Sequence, residues 1–144
     1  MILDAVDDMG GTLGAILGIL LSAFSSSLRT YVTKLGTSPP EPIVYAQALS
    51  EAVTTLKAYT SAREGDRTVM DVLLPFADKF AEAGDFHAAV EKAHEQAEAT
   101  RLLKPRFGRA TYVAEAAGQA LPDPGAWALY EMLSGMSNGI KSFK

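Results

Sequence analysis

The 144-residue chain contains no cysteine. Disulfide staples, thiolate nucleophiles and cysteine-ligated zinc are thereby excluded, and such a chain suits a reducing compartment. Positive charge is not in excess either: 13 Lys and Arg stand against 17 Asp and Glu, a net charge of −4. No broad basic stripe is available to neutralise nucleic-acid phosphates, so nucleic acid is not an expected partner. The chain has neither a Gly-x-Ser-x-Gly elbow nor a Walker-type lysine loop, which leaves hydrolase and P-loop chemistry without support. Sustained period-2 alternation is missing too, and with it the signal for half-buried strands. Histidine is scarce: the 2 present, His87 and His94, lie seven apart rather than at the i, i+4 spacing of a helical metal pair. A secretory signal requires a basic segment before its apolar stretch, whereas the first residues here include Asp4, Asp7 and Asp8. The expected location is cytoplasmic.

What is present is the composition of an ordinary globular protein, 48% hydrophobic and 21% charged, at a length of about one domain. Residues 1–144 are therefore expected to form a single domain. The most conspicuous stretch is the apolar run at 10–25, GGTLGAILGILLSAFS. A membrane-spanning helix needs about 20 residues, so the run is near the lower limit. Gly10, Gly14 and Gly18 have the spacing that lets helix backbones approach closely, in a membrane or in a soluble bundle. Ser22, Ser25, Ser26 and Ser27 end the apolar run early and nothing polybasic flanks it. The soluble reading is the expected one, with small residues every fourth position forming a flat face against a neighbouring helix.

Helical periodicity governs the rest. After the linker Thr37-Ser38-Pro39-Pro40, Ala46, Leu49, Val53 and Leu56 recur at helical spacing. Met70, Leu73, Leu74, Ala77, Phe80 and Ala81 repeat the pattern and stop near Gly84. Asp85 is placed to cap a helix carrying Phe86, Ala89, Val90, Ala93 and Ala97, which Lys104-Pro105 should close. A short helix is expected at 110–117. The last begins where Asp123 caps and Pro124 takes the first helical position. The fold class is all-α, an antiparallel bundle of about six helices joined by short loops.

Several polar motifs fall at helix starts. Gly65-Asp66-Arg67-Thr68 immediately precedes one, and Thr68 with Asp71 has capping-box spacing. Gly10-Gly11-Thr12, Gly108-Arg109 and Asp123-Pro124-Gly125-Ala126 occupy similar places. Unpaired N–H groups and the positive end of the helix dipole make such starts suitable for anions when several gather. Alternate helices of a bundle point opposite ways, so not every start can share one end. Arg101, Lys104, Arg106 and Arg109 form a basic cluster that could cradle a polyphosphate. Arg101 and Lys104 read as solvated helix-end cations; Arg109, between a glycine and a new helix, is the candidate ligand.

Taken in order, Met9-Gly10-Gly11-Thr12-x-Gly14-Ala15, Tyr59-Thr60-x-Ala62-Arg63-x-Gly65-Asp66-Arg67-Thr68, Ala97-Glu98-Ala99-Thr100, Gly108-Arg109-Ala110-x-Tyr112-Val113 and Asp123-Pro124-Gly125-Ala126-Trp127 resemble the C-terminal nucleotide-binding domain of dihydroxyacetone (glycerone) kinases, the DhaL or L-domain. The resemblance implies a barrel of eight antiparallel helices holding ATP at one end, with magnesium bridging the phosphates. It implies nucleotide contacts at Thr12, Leu13, Thr60, Thr68, Val69, Arg109, Asp123, Pro124 and Gly125. It implies transfer of the γ-phosphate to dihydroxyacetone held on a separate domain or subunit, with catalysis resting on positioning and charge neutralisation.

Departures from the family pattern are equally specific. Leu13 stands where the family usually has serine, and Val69 where it usually has methionine. The Gly-Asp-Gly-Asp type loop that supplies the magnesium ligands is lacking, and Asp4, Asp7 and Asp8 match it in neither spacing nor glycine content. The chain is thus expected to be an incomplete barrel lacking the family's N-terminal helices, with no metal site of its own and apolar surface that favours self-association or a partner. Two functions follow: the ATP-binding domain of a glycerone kinase, inactive in isolation, or a non-catalytic interaction or regulatory module on the same bundle.

Overall fold

The structure, a computed structural model, describes residues 11–107 and 121–143. Among these residues it is all-helical, with five α-helices and one 3-10 turn: α1 (Gly11–Leu35), α2 (Pro42–Leu56), α3 (Met70–Ala83), α4 (Phe86–Ala99), the 3-10 turn Thr100–Leu102, and α5 (Pro124–Ser142). The helix expected at 110–117, with Arg109 and the acidic residues Asp4, Asp7 and Asp8, lies outside the described residues.

The chain divides into two units, Met1–Ser61 with Phe80–Gly84, and Ala62–Lys79 with Asp85–Lys144. In the first, α2 folds back and packs on α1. Gly14, Ile16, Leu17 and Leu20 are buried on α1, and Ala46, Ala52, Val53 and Leu56 on α2. Gly18 is half-buried, and Gly10 of the same spacing lies outside the described residues. Gly84, with a φ of +67°, closes α3; a Cβ there would lie 3.0 Å from the Ile43 backbone nitrogen. Only glycine fits that approach.

α1 continues past the serines that end the apolar run. Ser22, Ser25 and Ser26 lie on its exposed face together with Arg29, while Leu28 and Tyr31 stay half-buried. Thr30 and Thr33 donate their hydroxyls to the carbonyls of Ser26 and Arg29 at 3.2 and 2.8 Å, satisfying themselves inside the helix. Tyr31 donates to Glu51 on α2 at 2.6 Å, which extends the pairing beyond the apolar core. The helix stops at Leu35, where Gly36 takes a φ of +66°. By length and composition Thr12–Leu35 could cross a membrane, and 22% of its most apolar window is buried.

In the second unit α3 is buried on every side from Met70 to Ala77, as is Val69 just before it, so this part reads as a central helix rather than an amphipathic one. Phe76 meets the Phe86 ring edge-on, centroids 5.5 Å apart. α4 and α5 run antiparallel: Ser137 and Lys141 near the end of α5 approach His87 at the start of α4, and Asp123 before α5 approaches Thr100 after α4. α4 ends earlier than Lys104-Pro105 because Thr100 turns its hydroxyl back to the Ala97 carbonyl at 2.6 Å and the chain tightens into the 3-10 turn. Met132, Met136 and Ile140 on α5 and Phe143 after it remain exposed.

Candidate nucleotide site

The best-built polar region joins the 65–68 turn to the start of α5. The turn is organised by Asp71, whose carboxylate accepts the Gly65 and Thr68 N–H groups, both at 2.6 Å. Thr68 in turn accepts the Met70 N–H on its hydroxyl at 3.1 Å. This is the reciprocal arrangement expected from the Thr68/Asp71 spacing, with Met70 rather than Asp71 as the donor to the threonine. Gly65 takes a φ of +93° and Arg67 a φ of 58°. In arginine that left-handed geometry costs on the order of 1 kcal/mol and persists only when its surroundings impose it.

Two further ties fix this turn. The buried Asp66 accepts the Arg63 N–H at 2.8 Å and the Arg106 guanidinium at 3.0 Å, and its carbonyl accepts the Arg106 N–H at 3.2 Å. The guanidinium of Arg67 donates to the Leu121 carbonyl at 3.0 Å. Two residues on, Asp123 caps α5 by accepting the Ala126 N–H at 2.8 Å, with Pro124 in the first turn as its sequence position implied. The Asp123 N–H donates to the fully buried Thr100 hydroxyl at 2.8 Å. Gly125 completes the contact: a Cβ there would lie 3.2 Å from Asp123 Oδ2 and 3.8 Å from the Val69 Cβ.

Burial pushes the Asp71 carboxyl above its ordinary range; the Thr68 and Gly65 N–H donors oppose the shift and the charge of Asp66 adds to it. Burial likewise raises Asp123, against the Ala126 and Gly125 N–H groups and the Arg67 charge, and Asp71 pushes it further up. Three carboxylates therefore gather here, with Arg106 paired to Asp66 and the Arg67 charge acting on Asp123.

Of the residues expected to contact a nucleotide, Val69 is brought against Gly125, next to Thr68 on its own side and to Asp123 and Pro124 at the α5 start. Thr12 is exposed at the start of α1, Leu13 is half-buried behind it, and Thr60 is half-buried after α2; these belong to the other unit. Arg109 lies outside the described residues. Arg101 pairs with Glu98 at 2.5 Å, which fits its reading as a helix-end cation, and Lys104 is exposed. Arg106 is not such a cation, because its partner is the buried Asp66. His87 lies between Ser137, Lys141 and Glu91, at 3.2, 3.0 and 3.8 Å. His94 packs on Tyr130 and Trp127, ring centroids 4.7 and 6.0 Å away.

Arg67, Asp66, Thr100 and Arg106 received no structural role from the sequence. Their bonds join residues 54, 40 and 23 positions apart, and no local pattern announces such pairs. A metal does not fit this arrangement. Among the described residues no group of three or more His, Cys, Asp and Glu side chains is placed to hold one. Asp66, Asp71 and Asp123 each aim a carboxylate at N–H donors of the protein itself.

The profile of the DAK2 domain matches residues 2–138. The chain belongs to the DAK2 domain family. It is similar to a dihydroxyacetone kinase of Pichia angusta, 42% identical over 136 residues that make up 90% of this chain and 22% of the relative. Among solved structures it resembles the dihydroxyacetone kinase of C. freundii in its native form, with a TM-score of 0.64 and 26% identity over 90% of this chain and 21% of the other. It also resembles that enzyme in complex with AMP-PNP and Mg2+, with a TM-score of 0.60 and 25% identity over 90% of this chain and 20% of the other. The DAK2 chain thus spans about a fifth of the length of these relatives. Membership ties it to a kinase family and agrees with the all-helical fold.

Proposed function

We propose that this DAK2 chain is, over its whole length, the DhaL-type nucleotide-binding domain of a dihydroxyacetone (glycerone) kinase, a cytoplasmic enzyme. The carrying observation is the approach of Val69, just before α3, to Gly125 in the first turn of α5. A helix start carries the positive end of the helix dipole, so two starts near one another favour an anionic ligand. A similar solved enzyme bound to AMP-PNP supports the choice of an adenine nucleotide. In this reading Thr68, Val69, Asp123, Pro124 and Gly125 line the phosphates. The family resemblance implies further nucleotide contacts at Thr12, Leu13, Thr60 and Arg109. The γ-phosphoryl group passes from ATP to a hydroxyl of dihydroxyacetone, ADP leaves, and the acceptor is held by a separate domain or subunit.

Because the reaction needs an in-line approach and charge neutralisation more than a protein nucleophile, the work of these residues is to hold the phosphates still. Magnesium accompanies ATP in this family reading, where it would neutralise phosphate charge, while Asp66, Asp71 and Asp123 are engaged by N–H donors of the protein itself. That same observation favours a second reading, a non-catalytic DAK2 module that binds a partner or a second copy of itself.

Titration calorimetry with ATP, with and without magnesium, and in parallel with dihydroxyacetone, separates these readings. Weak ATP binding that does not depend on magnesium, with no response to dihydroxyacetone, is expected. Binding of dihydroxyacetone alone would reassign the site to the acceptor, and no binding of either would leave the non-catalytic reading.

A further inference from the structure

Arg67 is the residue of the 65–68 turn whose cost the turn itself does not explain. Among the described residues it is the one non-glycine with a positive φ. It is 7% exposed, so its charge is held largely out of water. Glycine would take the same backbone geometry freely, and a surface arginine would keep its hydration. Both costs are accepted in a position from which the guanidinium reaches the Leu121 carbonyl, two residues before the cap of α5, and acts on the Asp123 carboxyl.

The neighbours of Arg67 give that reach its meaning. Asp66 ties the turn to Arg106 through both backbone and side chain. Thr68, the next residue, is anchored by Asp71 and opens α3. Asp123 is held from the other side by Thr100, and Gly125 meets Val69. The Asp71 carboxylate braces the turn and the Thr100 hydroxyl braces the segment before α5. The Arg67 guanidinium runs from the one to the other.

We propose that Arg67 is a positioning residue for nucleotide binding: without touching the ligand, it fixes the 121–123 segment against the 65–68 turn, so that Thr68, Val69 and Gly125 present one surface to the phosphates. The role rests on the nucleotide reading above. Its physical content is pre-organisation. With Arg67 in place the two helix starts are already set at their binding separation, and the ligand does not have to order them.

The left-handed backbone allows a clean test, because Arg67→Gly removes the guanidinium and relieves the strained φ together. Binding of AMP-PNP with magnesium is followed by calorimetry or by fluorescence of Trp127, the 1 tryptophan, two residues beyond Gly125. Arg67→Gly is expected to weaken AMP-PNP by about ten- to a hundredfold, the loss that follows from removing one charged hydrogen bond. Amide exchange at Asp123 and Ala126 should quicken, while the Ala88 amide, capped by Asp85 at the start of α4, stays as protected as before. A purely global loss of stability would move all three amides together. Arg67→Lys, which keeps the charge and a donor but not the planar fork, should fall between Arg67→Gly and the wild type.

Wild-type affinity in a folded Arg67→Gly overturns the positioning role and leaves the nucleotide reading intact. Failure of the wild type to bind AMP-PNP overturns both. Should Arg67→Gly not fold, Arg67→Lys decides: severalfold weaker binding supports the role, and unchanged binding overturns it.

Discussion

Thr100 offers the sharpest test of how the α5 start is held. Its side chain is fully buried, its hydroxyl donates to the Ala97 carbonyl at 2.6 Å, and it accepts the Asp123 N–H at 2.8 Å. Thr100→Val keeps the shape and exchanges the hydroxyl for a methyl. The Ala97 carbonyl lies at a helix end with other donors near it, since the Thr100 N–H already bonds back to this last turn. The Asp123 N–H has no such alternative: it precedes the α5 hydrogen-bond ladder and sits in a buried residue. Stranding it costs about 1 to 3 kcal/mol. The added buried methyl returns about 0.8 kcal/mol at most. The net expectation is a loss of up to about 2 kcal/mol, or a fall in Tm of up to about 7 °C for a chain of this size. Thr100→Ser, which keeps the hydroxyl and loses one methyl, should cost only about 1 kcal/mol. Urea unfolding with a common m-value supplies the comparison, and amide exchange supplies the location: Asp123 should exchange faster in the valine variant and not in the serine one. A valine variant as stable as the wild type, or an Asp123 amide equally protected in both, would refute the assignment.

Gly84→Ala should destabilise the first unit by about 2 to 4 kcal/mol, combining the left-handed penalty with a Cβ 3.0 Å from the Ile43 backbone; Gly36→Ala, at φ +66° with open space around it, should cost about 1 kcal/mol in the same urea assay. Asp123→Asn tests the electrostatics. Its folded carboxyl is raised above the unfolded 3.8, so between those two values the native state binds more protons than the unfolded one, and stability falls as pH rises through that window. Removing the group should make the slope of unfolding free energy against pH more positive there, and an unchanged slope would mean that the Asp123 carboxyl is not raised in the folded state.

The helices are legible in the sequence because their signals are local. Asp85 and Asp123 cap α4 and α5 as their positions before helical patterns require, and glycines end α1 and α3. The serine-rich half of α1 carries no apolar run, and its serines with Arg29 mark the exposed face of a helix that continues to Leu35. The end of α4 falls earlier than its closing Lys-Pro suggests, since nothing in Thr100 announces a hydroxyl turned back on Ala97. At the candidate site, the Thr68/Asp71 cap is readable from a spacing of three. Arg67 with Leu121, Asp66 with Arg106, and Thr100 with Asp123 are not, because each pair forms only once the helices have packed. Family motifs place these residues in sequence order, but the geometry assigns them their partners.

The central claim is that the starts of α3 and α5 together hold the phosphates of an adenine nucleotide. Backbone amide chemical-shift mapping during titration with AMP-PNP tests it residue by residue. The account predicts saturable shifts concentrated at Thr68, Val69, Gly125 and Ala126, with the start of α4 at Ala88 unmoved. Shifts confined to other parts of the chain, or appearing with dihydroxyacetone and not with AMP-PNP, would contradict it.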